Sequence, residues 1–279
     1  MLIHYLSLLR TITTIVFTRN AVGRNFMLHR ALTQARRHTH PIDLIYGIQT
    51  SGFVPNFLTD PGLNIFKIGL RENNHYAGCQ PSCVRIALRS LPDTAQFTFY
   101  DLGCGMGRAL ITASEFPFYK LIGIEISGEL CAIAEKNVQK ISDLFPGRAK
   151  ISIDRADVTT TQLKGGKIVV FMYHSFGRAT IGILICKLEQ LAIAGSSIFV
   201  IFENPVNGDL VDQSIYFKRW YAEQVPCDPD ELNHHSDTDD GVVVWQSINT
   251  VNLYESRCSD FNIITTKPTW RAEIVFEEK

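Results

Sequence analysis

The fold is decided by residues 97–108, which read FTFYDLGCGMGR. An apolar and aromatic run leads directly into Gly103, Gly105 and Gly107, and helical periodicity follows from Ala109. Glycines suit such a turn because the backbone takes unusual φ values there and a ligand can approach main-chain atoms that a Cβ would shield. The stretch predicts a strand, a glycine turn and a helix that together hold a nucleotide.

The spacing of the three glycines distinguishes two kinds of nucleotide site. A dinucleotide fingerprint reads G-x-G-x-x-G and places a pyrophosphate at the helix N-terminus. Here the third glycine comes one residue early, and Arg108 takes its expected position. The spacing G-x-G-x-G resembles the first motif of class I methyltransferases that use S-adenosylmethionine (SAM). That motif implies cofactor contacts from Asp101, Gly103, Cys104, Gly105 and Gly107.

Two more acids follow at the ends of predicted strands. Glu125, followed by Ile126, ends the second strand, where a carboxylate can accept both ribose hydroxyls. The same placement serves NAD enzymes, so Glu125 indicates an adenosine ligand without choosing the cofactor. Asp157, with Asp154 as its neighbour, stands where class I methyltransferases hold a residue that receives the adenine amino group. Each acid alone would also fit a helix cap or an exposed turn.

Downstream of the glycine turn, short apolar runs alternate with longer helical periods, as βαβ units require. The pattern predicts a Rossmann-like α/β fold with about seven strands, mostly parallel, and an antiparallel edge. The first five strands are expected at 97–102, 121–126, 149–153, 168–173 and 198–203.

The helices and the late strands of this fold are also predicted. Ser127 should cap one helix, and a second, at 179–194, should end at Gly195. We expect a further helix around 212–221. Two late strands, at 242–250 and 274–276, should complete the edge of the sheet.

The N-terminal 95 residues carry no clear strand pattern, and we expect a helical, loop-rich section that covers the site of a catalytic domain at 96–279. Arg10 interrupts the apolar stretch 1–17, which argues against a membrane span or a signal peptide. Three interpretations of the basic, acid-free start stay open: amphipathic helices with a solvated face, an arm that contacts membrane or nucleic acid, and a transit peptide. Its arginines are Arg10, Arg19, Arg24, Arg30, Arg36 and Arg37.

Composition indicates which partners, cellular compartment and metals to expect. The net charge of −1 gives no global attraction to nucleic acid. The seven cysteines are scattered, with no Cys-x-x-Cys pair, which is typical of reduced thiols in a cytoplasmic protein. His234 and His235 lie in an acidic loop that could hold a metal, but such loops are usually only solvated, so we expect no metal.

Residues 97–138 resemble the core of a group of bacterial class I SAM methyltransferases, mostly of unassigned substrate. Upstream, Asp43 and YGIQTSG at 46–52 resemble the group's D-x-x-YGI-x-TSG segment, and Tyr76 with QPS at 80–82 resembles another short motif. The cofactor half is also distantly similar to the Rossmann-fold histone-lysine methyltransferases. The resemblance implies SAM as the cofactor.

The chain departs from this group after the fourth strand, where an Asn-Pro-Phe or similar tripeptide is common. The residues here are Tyr173, His174, Ser175 and Phe176. His174 could accept a proton from the nucleophile, because an unperturbed imidazole has a pKa of about 6.5, or it could only hydrogen-bond the loop. The candidate catalytic residues are therefore His174, Tyr173 and Phe176, and the candidate acceptor-side residues are Tyr46, Thr50 and Ser51.

The sequence thus favours a SAM-dependent methyltransferase. The acceptor is unidentified: a protein lysine or another nitrogen, in a protein or a small molecule. Two alternatives from other classes are an NAD-dependent oxidoreductase and a SAM-binding module without catalysis.

Overall fold

The computed structural model of the protein describes residues 27, 30, 31, 39–55, 58, 74–228, 239–251, 261–266 and 271–276. None of the helices in these ranges is long and apolar enough to cross a membrane. Most of the arginine-rich start and the loop with His234 and His235 lie outside the described residues, so the interpretations of both stay predictions.

Seven strands form the main sheet. In chain order they are β1 (Thr98–Leu102), β2 (Lys120–Glu125), β3 (Ile151–Arg155), β4 (Lys167–Tyr173), β5 (Ser197–Glu203), β6 (Phe217–Pro226) and β7 (Asp239–Ser247). Across the sheet the order is β3-β2-β1-β4-β5-β7-β6. The first five pair in parallel, whereas β7 is antiparallel to both β5 and β6. This confirms the predicted Rossmann-like, class I methyltransferase sheet with its antiparallel edge.

The described helices are α1 (Pro41–Tyr46), α2 (Pro81–Ser90), α3 (Arg108–Ala113), α4 (Gly128–Leu144), α5 (Arg178–Ile193), α6 (Asp209–Asp212) and α7 (Ile248–Val251). Ser127 caps α4 as predicted, because its hydroxyl accepts the N–H of Leu130 at 3.3 Å. Gly195 follows the end of α5 with a φ of +93°, which confirms the predicted stop.

The central strands β1, β2, β4, β5 and β7 are buried on both faces, which explains their apolar sequences. Phe99 of β1 faces one core, which also contains Val84 and Leu88 of α2. Leu102 of β1 faces the opposite core together with Leu184 of α5. Each fully buried side chain of this size contributes about 1.5–3 kcal/mol. The helix α2, from the section before residue 95, therefore packs directly on the sheet.

The prediction of a helix around 212–221 is wrong. Within this range only Asp212, the last residue of α6, is helical, and β6 begins at Phe217. Its pairing with β7 shifts register between Arg219 and Tyr221, and this irregularity breaks the two-residue alternation by which a strand is recognised. The packing of Trp220, which donates to the carbonyl of Ser90 at 3.1 Å, favours the strand.

The last predicted strand lies in a different sheet from the one expected. Residues 271–276 form β9 (Arg271–Phe276), which pairs antiparallel with β8 (Phe261–Thr266) in a separate two-stranded sheet. The strand expected at 242–250 is β7, but it is inside the main sheet, and β6 forms the edge. The hairpin contacts β7 through the carbonyl of Ala272 and the side chain of Ile274, both about 3 Å from where a Cβ on Gly241 would lie.

Candidate cofactor and acceptor site

A cavity of about 640 Å³ lies at the carboxyl ends of the parallel strands, where open α/β sheets bind their ligands. Its size is that of a small-molecule site. We divide its wall into two sides. The cofactor side comprises Asp101, Gly103, Cys104, Glu125, Ile126 and Asp157, and the acceptor side comprises Tyr173, His174, Phe176, Asn204 and Asp240.

The glycine loop starts where β1 ends and is bonded to the neighbouring strand β2. The N–H groups of Gly103 and Cys104 both donate to the carbonyl of Ile124, at 2.8 and 3.1 Å. Gly105 has a φ of +53°, and a Cβ on it would lie 2.2 Å from the ring of Tyr76. This position therefore requires glycine, both for the left-handed backbone and for the close approach of the ring.

The members of the loop have different roles. Of the four loop residues predicted to contact the cofactor, Gly103 and Cys104 line the cavity, whereas Gly105 and Gly107 are not part of its wall. Gly107 precedes α3 and faces Ala134 of α4, which would lie 3.6 Å from an added Cβ. Gly105 and Gly107 therefore determine the backbone path of the loop without lining the cavity.

Glu125 is buried at the cavity wall and is oriented by two backbone groups. One carboxylate oxygen accepts the N–H of Gly105 at 3.0 Å, and the other accepts the N–H of Ser127 at 2.8 Å. The geometry suits acceptance of ligand hydroxyls, and Ile126 beside it also lines the wall.

Asp101 is a buried carboxyl group on the same wall, only 3% exposed. No hydrogen bond connects its side chain to the rest of the described chain. Burial, and secondarily the charge of Glu125, raise the pKa of Asp101 well above its usual value. A ligand that brings positive charge or N–H donors would stabilise the ionised form.

Asp157 lies after β3 and is exposed at the rim of the cavity. Its Oδ1 accepts both the N–H and the hydroxyl of Thr159, each at 2.7 Å. Its carbonyl accepts the N–H of Thr161 at 3.0 Å. The exposed turn that the sequence allowed for this acid is therefore present, and the same acid also lines the cavity.

A buried ionic network connects the upstream segment to the glycine loop. The carboxylate of Asp43 accepts the backbone N–H and the hydroxyl of both Thr50 and Ser51, at 2.5–2.8 Å. The guanidinium of Arg108 donates to the hydroxyl and carbonyl of Thr50, at 2.8 and 2.9 Å, and to the carbonyl of Cys79 at 3.1 Å. Sequence reasoning treated Arg108 only as the residue that replaces a glycine, and missed this role.

The expected acceptor-side positions of Tyr46, Thr50 and Ser51 are corrected by the structure, because none of the three lines the cavity. Thr50 and Ser51 are buried in the network with Asp43 and Arg108. Tyr46 points away and meets the ring of Phe145 edge-on, with 5.5 Å between ring centroids. The segment packs behind the glycine loop.

The acceptor side begins where β4 ends. His174 has a φ of +39°, which is uncommon for a residue other than glycine and is typical of functional sites. Asn74 holds this turn, since its side-chain amide donates to the carbonyl of His174 at 2.5 Å and its N–H donates to that of Ser175 at 2.9 Å. Burial lowers the pKa of His174 below its usual value, so the imidazole is neutral near pH 7.

The other two candidate catalytic residues lie beside His174. Tyr173 and Phe176 both line the cavity. Burial, and secondarily the charges of Asp240 and Glu203, raise the pKa of Tyr173 well above its usual value, so its hydroxyl stays protonated. Tyr173 can therefore donate a hydrogen bond, and Phe176 provides apolar surface.

Asn204 is a site residue that sequence reasoning missed. It follows β5 with a φ of +50°, and its side-chain nitrogen lies 3.4 Å from Nδ1 of His174. The signal was the dipeptide Asn204-Pro205, which marks a turn at a strand end. The sequence resemblance drew attention to the residues after the fourth strand, whereas an Asn-Pro pair follows the fifth.

No three His, Cys, Asp or Glu side chains are grouped as a metal ion requires, as far as the structure describes the chain.

Comparison with known proteins gives matches of fold only. No family model and no curated protein matches the sequence. Solved structures with a similar fold include a SAM dependent methyltransferase from Aquifex aeolicus (12% identity, 59% of this chain and 89% of that chain, TM-score 0.44). Another is a ribosomal protein L11 methylase from Lactobacillus delbrueckii subsp. bulgaricus (15% identity, 67% of this chain and 82% of that chain, TM-score 0.42). A third is the glycopeptide N-methyltransferase MtfA complexed with sinefungin (12% identity, 61% of this chain and 94% of that chain, TM-score 0.43). At such identities and TM-scores, function has to be inferred from the site.

Proposed function

We propose that the protein is a SAM-dependent methyltransferase. The observation that carries this proposal is the charge of the cavity wall. Asp101, Glu125 and Asp157 come from the ends of three adjacent parallel strands, β1, β2 and β3, and Asp240 lies on the opposite side. A wall of this sign attracts a ligand that carries positive charge.

The same wall disfavours NAD. A dinucleotide brings a negatively charged pyrophosphate, which needs cations or free N–H donors. Arg108 is the single Lys or Arg in the described wall, and its guanidinium is engaged with Thr50, Ser51 and Cys79. SAM instead carries a sulfonium and an ammonium group, both of which suit the acidic surroundings.

The residues present fit this cofactor. Glu125 would accept the ribose hydroxyls, Asp157 the adenine amino group, and Asp101 the ammonium group. When bound, SAM supplies an electrophilic methyl group on a positively charged sulfonium. The chain has to align an acceptor with this group and exclude water, and correct alignment alone can account for much of the rate enhancement.

The acceptor side favours a nitrogen-bearing acceptor, such as a protein lysine or a small amine. Tyr173, Phe176 and Phe53 give the cavity aromatic surface, and Asp240 adds negative charge. Aromatic faces and a carboxylate together attract an amine in its cationic form.

The proposal is tested by incubating the protein with methyl-labelled SAM and a cell extract. The label is then counted in the protein, RNA and small-molecule fractions. We expect incorporation with the wild type and at least a 100-fold loss with Glu125→Ala. The control Glu135→Ala changes an exposed acid of α4 and should label like the wild type. Cofactor binding without labelling of any fraction would instead indicate a binding module.

A further inference from the structure

The two residues with unusual backbone conformation on the acceptor side lie next to each other at the ends of neighbouring strands. His174 follows β4 and Asn204 follows β5, and both have positive φ values, +39° and +50°. Positive φ places each side chain where a regular strand residue would not reach. The side chains meet, with Asn204 Nδ2 lying 3.4 Å from His174 Nδ1.

The orientation of the Asn204 amide is fixed by the hairpin β8–β9. Its Oδ1 accepts the backbone N–H of Ala272 in β9 at 2.7 Å. A backbone N–H can only donate, so the oxygen of the amide must face Ala272 and the nitrogen must face His174. The usual ambiguity between the two ends of an asparagine amide is absent here.

An amide nitrogen can only donate a hydrogen bond, and this determines the state of the imidazole. We propose that Asn204 is a positioning residue that fixes the tautomer of His174, with Nδ1 as acceptor and the proton on Nε2. The separation of 3.4 Å is long for a hydrogen bond, as is common at catalytic sites before substrate is present. The neutral state that burial favours for His174 agrees with this assignment.

The consequence concerns the acceptor and rests on the proposed methyl transfer. His174 lines the cavity, and Nε2 has no partner within the described part of the chain. A protonated Nε2 donates a hydrogen bond and cannot take the proton of a nucleophile. His174 therefore holds the acceptor molecule and does not act as general base through this nitrogen.

The chemical class of the bound atom follows from the same step. A nitrogen whose lone pair accepted the bond from Nε2 could not attack a methyl group. The atom that His174 holds is therefore a neighbour of the methylated atom, and a carbonyl or carboxylate oxygen fits best. If the methylated atom is the nitrogen of the proposed function, the acceptor is therefore an amine that carries such an oxygen nearby.

The test is nuclear magnetic resonance of protein labelled with ¹⁵N in its histidine rings, at a pH well above the pKa of His174. The His174 signals are assigned by their loss in His174→Gln. We expect a protonated Nε2 in the wild type. Asn204→Asp keeps the acceptor for Ala272 and tolerates positive φ, but its carboxylate accepts, so the proton should move to Nδ1.

A second variant guards against misfolding of the first. Asn204→Gly fits the positive φ without strain and removes the amide, so the signals should show a mixture of tautomers. A wild-type proton on Nδ1, or no change of tautomer in Asn204→Asp, would overturn the proposal. Binding of S-adenosylhomocysteine to the wild type is measured in parallel, and its absence would contradict the proposed function but not the tautomer.

Discussion

The two sides of the cavity differ in how the chain builds them. On the cofactor side the contacts are local: Glu125 reaches the glycine loop across 20 residues. On the acceptor side, the bond from Asn74 to His174 spans 100 residues, and the bond from Ala272 to Asn204 spans 68. Consecutive βα units form the first side, whereas the second depends on the docking of distant segments.

The two sides are nevertheless joined behind the glycine loop. Arg108 links the loop to Thr50 and Cys79, and Asn137 of α4 donates to the carbonyls of both Gln49 and Met106. The upstream segment is thus anchored to the cofactor side before the chain reaches Asn74 on the acceptor side. The comparison between the two sides can be tested with one variant that breaks the link made by Arg108 and with others that change the cofactor side alone.

The largest effect should come from Arg108→Lys. Lysine keeps the positive charge but cannot reproduce the forked guanidinium contacts, so the buried carbonyls of Thr50 and Cys79 would lose their donors. We expect the free energy of unfolding to fall by about 3 kcal/mol, because buried acceptors that were bonded to a charged donor are left unpaired. Urea denaturation measures this loss.

The matched control is Arg85→Lys. Arg85 pairs with Glu115 at 2.8 Å, but both side chains are partly exposed. Loss of the paired geometry with Glu115 should lower the free energy of unfolding by less than about 1 kcal/mol. Equal effects of the two variants would mean that the Arg108 network does not join the two sides.

The next effect concerns the cofactor side alone. In Gly105→Ala the new methyl group would meet the ring of Tyr76, and alanine would have to adopt a left-handed backbone, which costs about 1–2 kcal/mol. The affinity for S-adenosylhomocysteine should fall at least about tenfold. Gly147→Ala, at a site with nothing within 4 Å of the added Cβ, should bind like the wild type. Unchanged affinity in Gly105→Ala would place the cofactor elsewhere.

The smallest effect on stability should come from Asp101→Asn, and it should be favourable. The pKa of Asp101 lies above 3.8 in the folded protein, so the folded state binds its proton more tightly than the unfolded chain does. Stability from this group is fully present below pH 3.8 and is lost as pH rises through the folded-state pKa.

The side chain of asparagine does not ionise, so the variant does not lose this stability as the pH rises. At pH 7 the ligand-free variant should therefore be more stable than the wild type, and the difference in stability should close toward pH 4. Unfolding in urea at several pH values checks this. Cofactor affinity should fall in the same variant, and a variant that is both less stable and equally tight-binding would refute the assigned role of Asp101.

The contrast between the sides also explains what could be predicted from the sequence. Strands β1–β5 lie within two residues of their predicted ends, because buried parallel strands read as unbroken apolar runs. The acids at the strand ends were found in the same way. All these features are local in the chain.

The features that were missed depend on distant contacts. The strand β6 is irregular where it pairs with β7, and its register shift hides the alternation. Asn204 acquires its role only because Ala272 and His174 meet it in space. Thr50 and Ser51 were placed on the cavity wall because a motif gives no direction to its side chains, and the structure turns them toward Asp43.

The central claim is that the acidic cavity wall selects a cationic adenosine cofactor. Calorimetric titration of the protein with SAM and, separately, with NAD and NADH tests it most directly. We predict saturable heat of binding for SAM, abolished in Glu125→Ala, and none for either dinucleotide. Binding of NAD or NADH without binding of SAM would contradict the account.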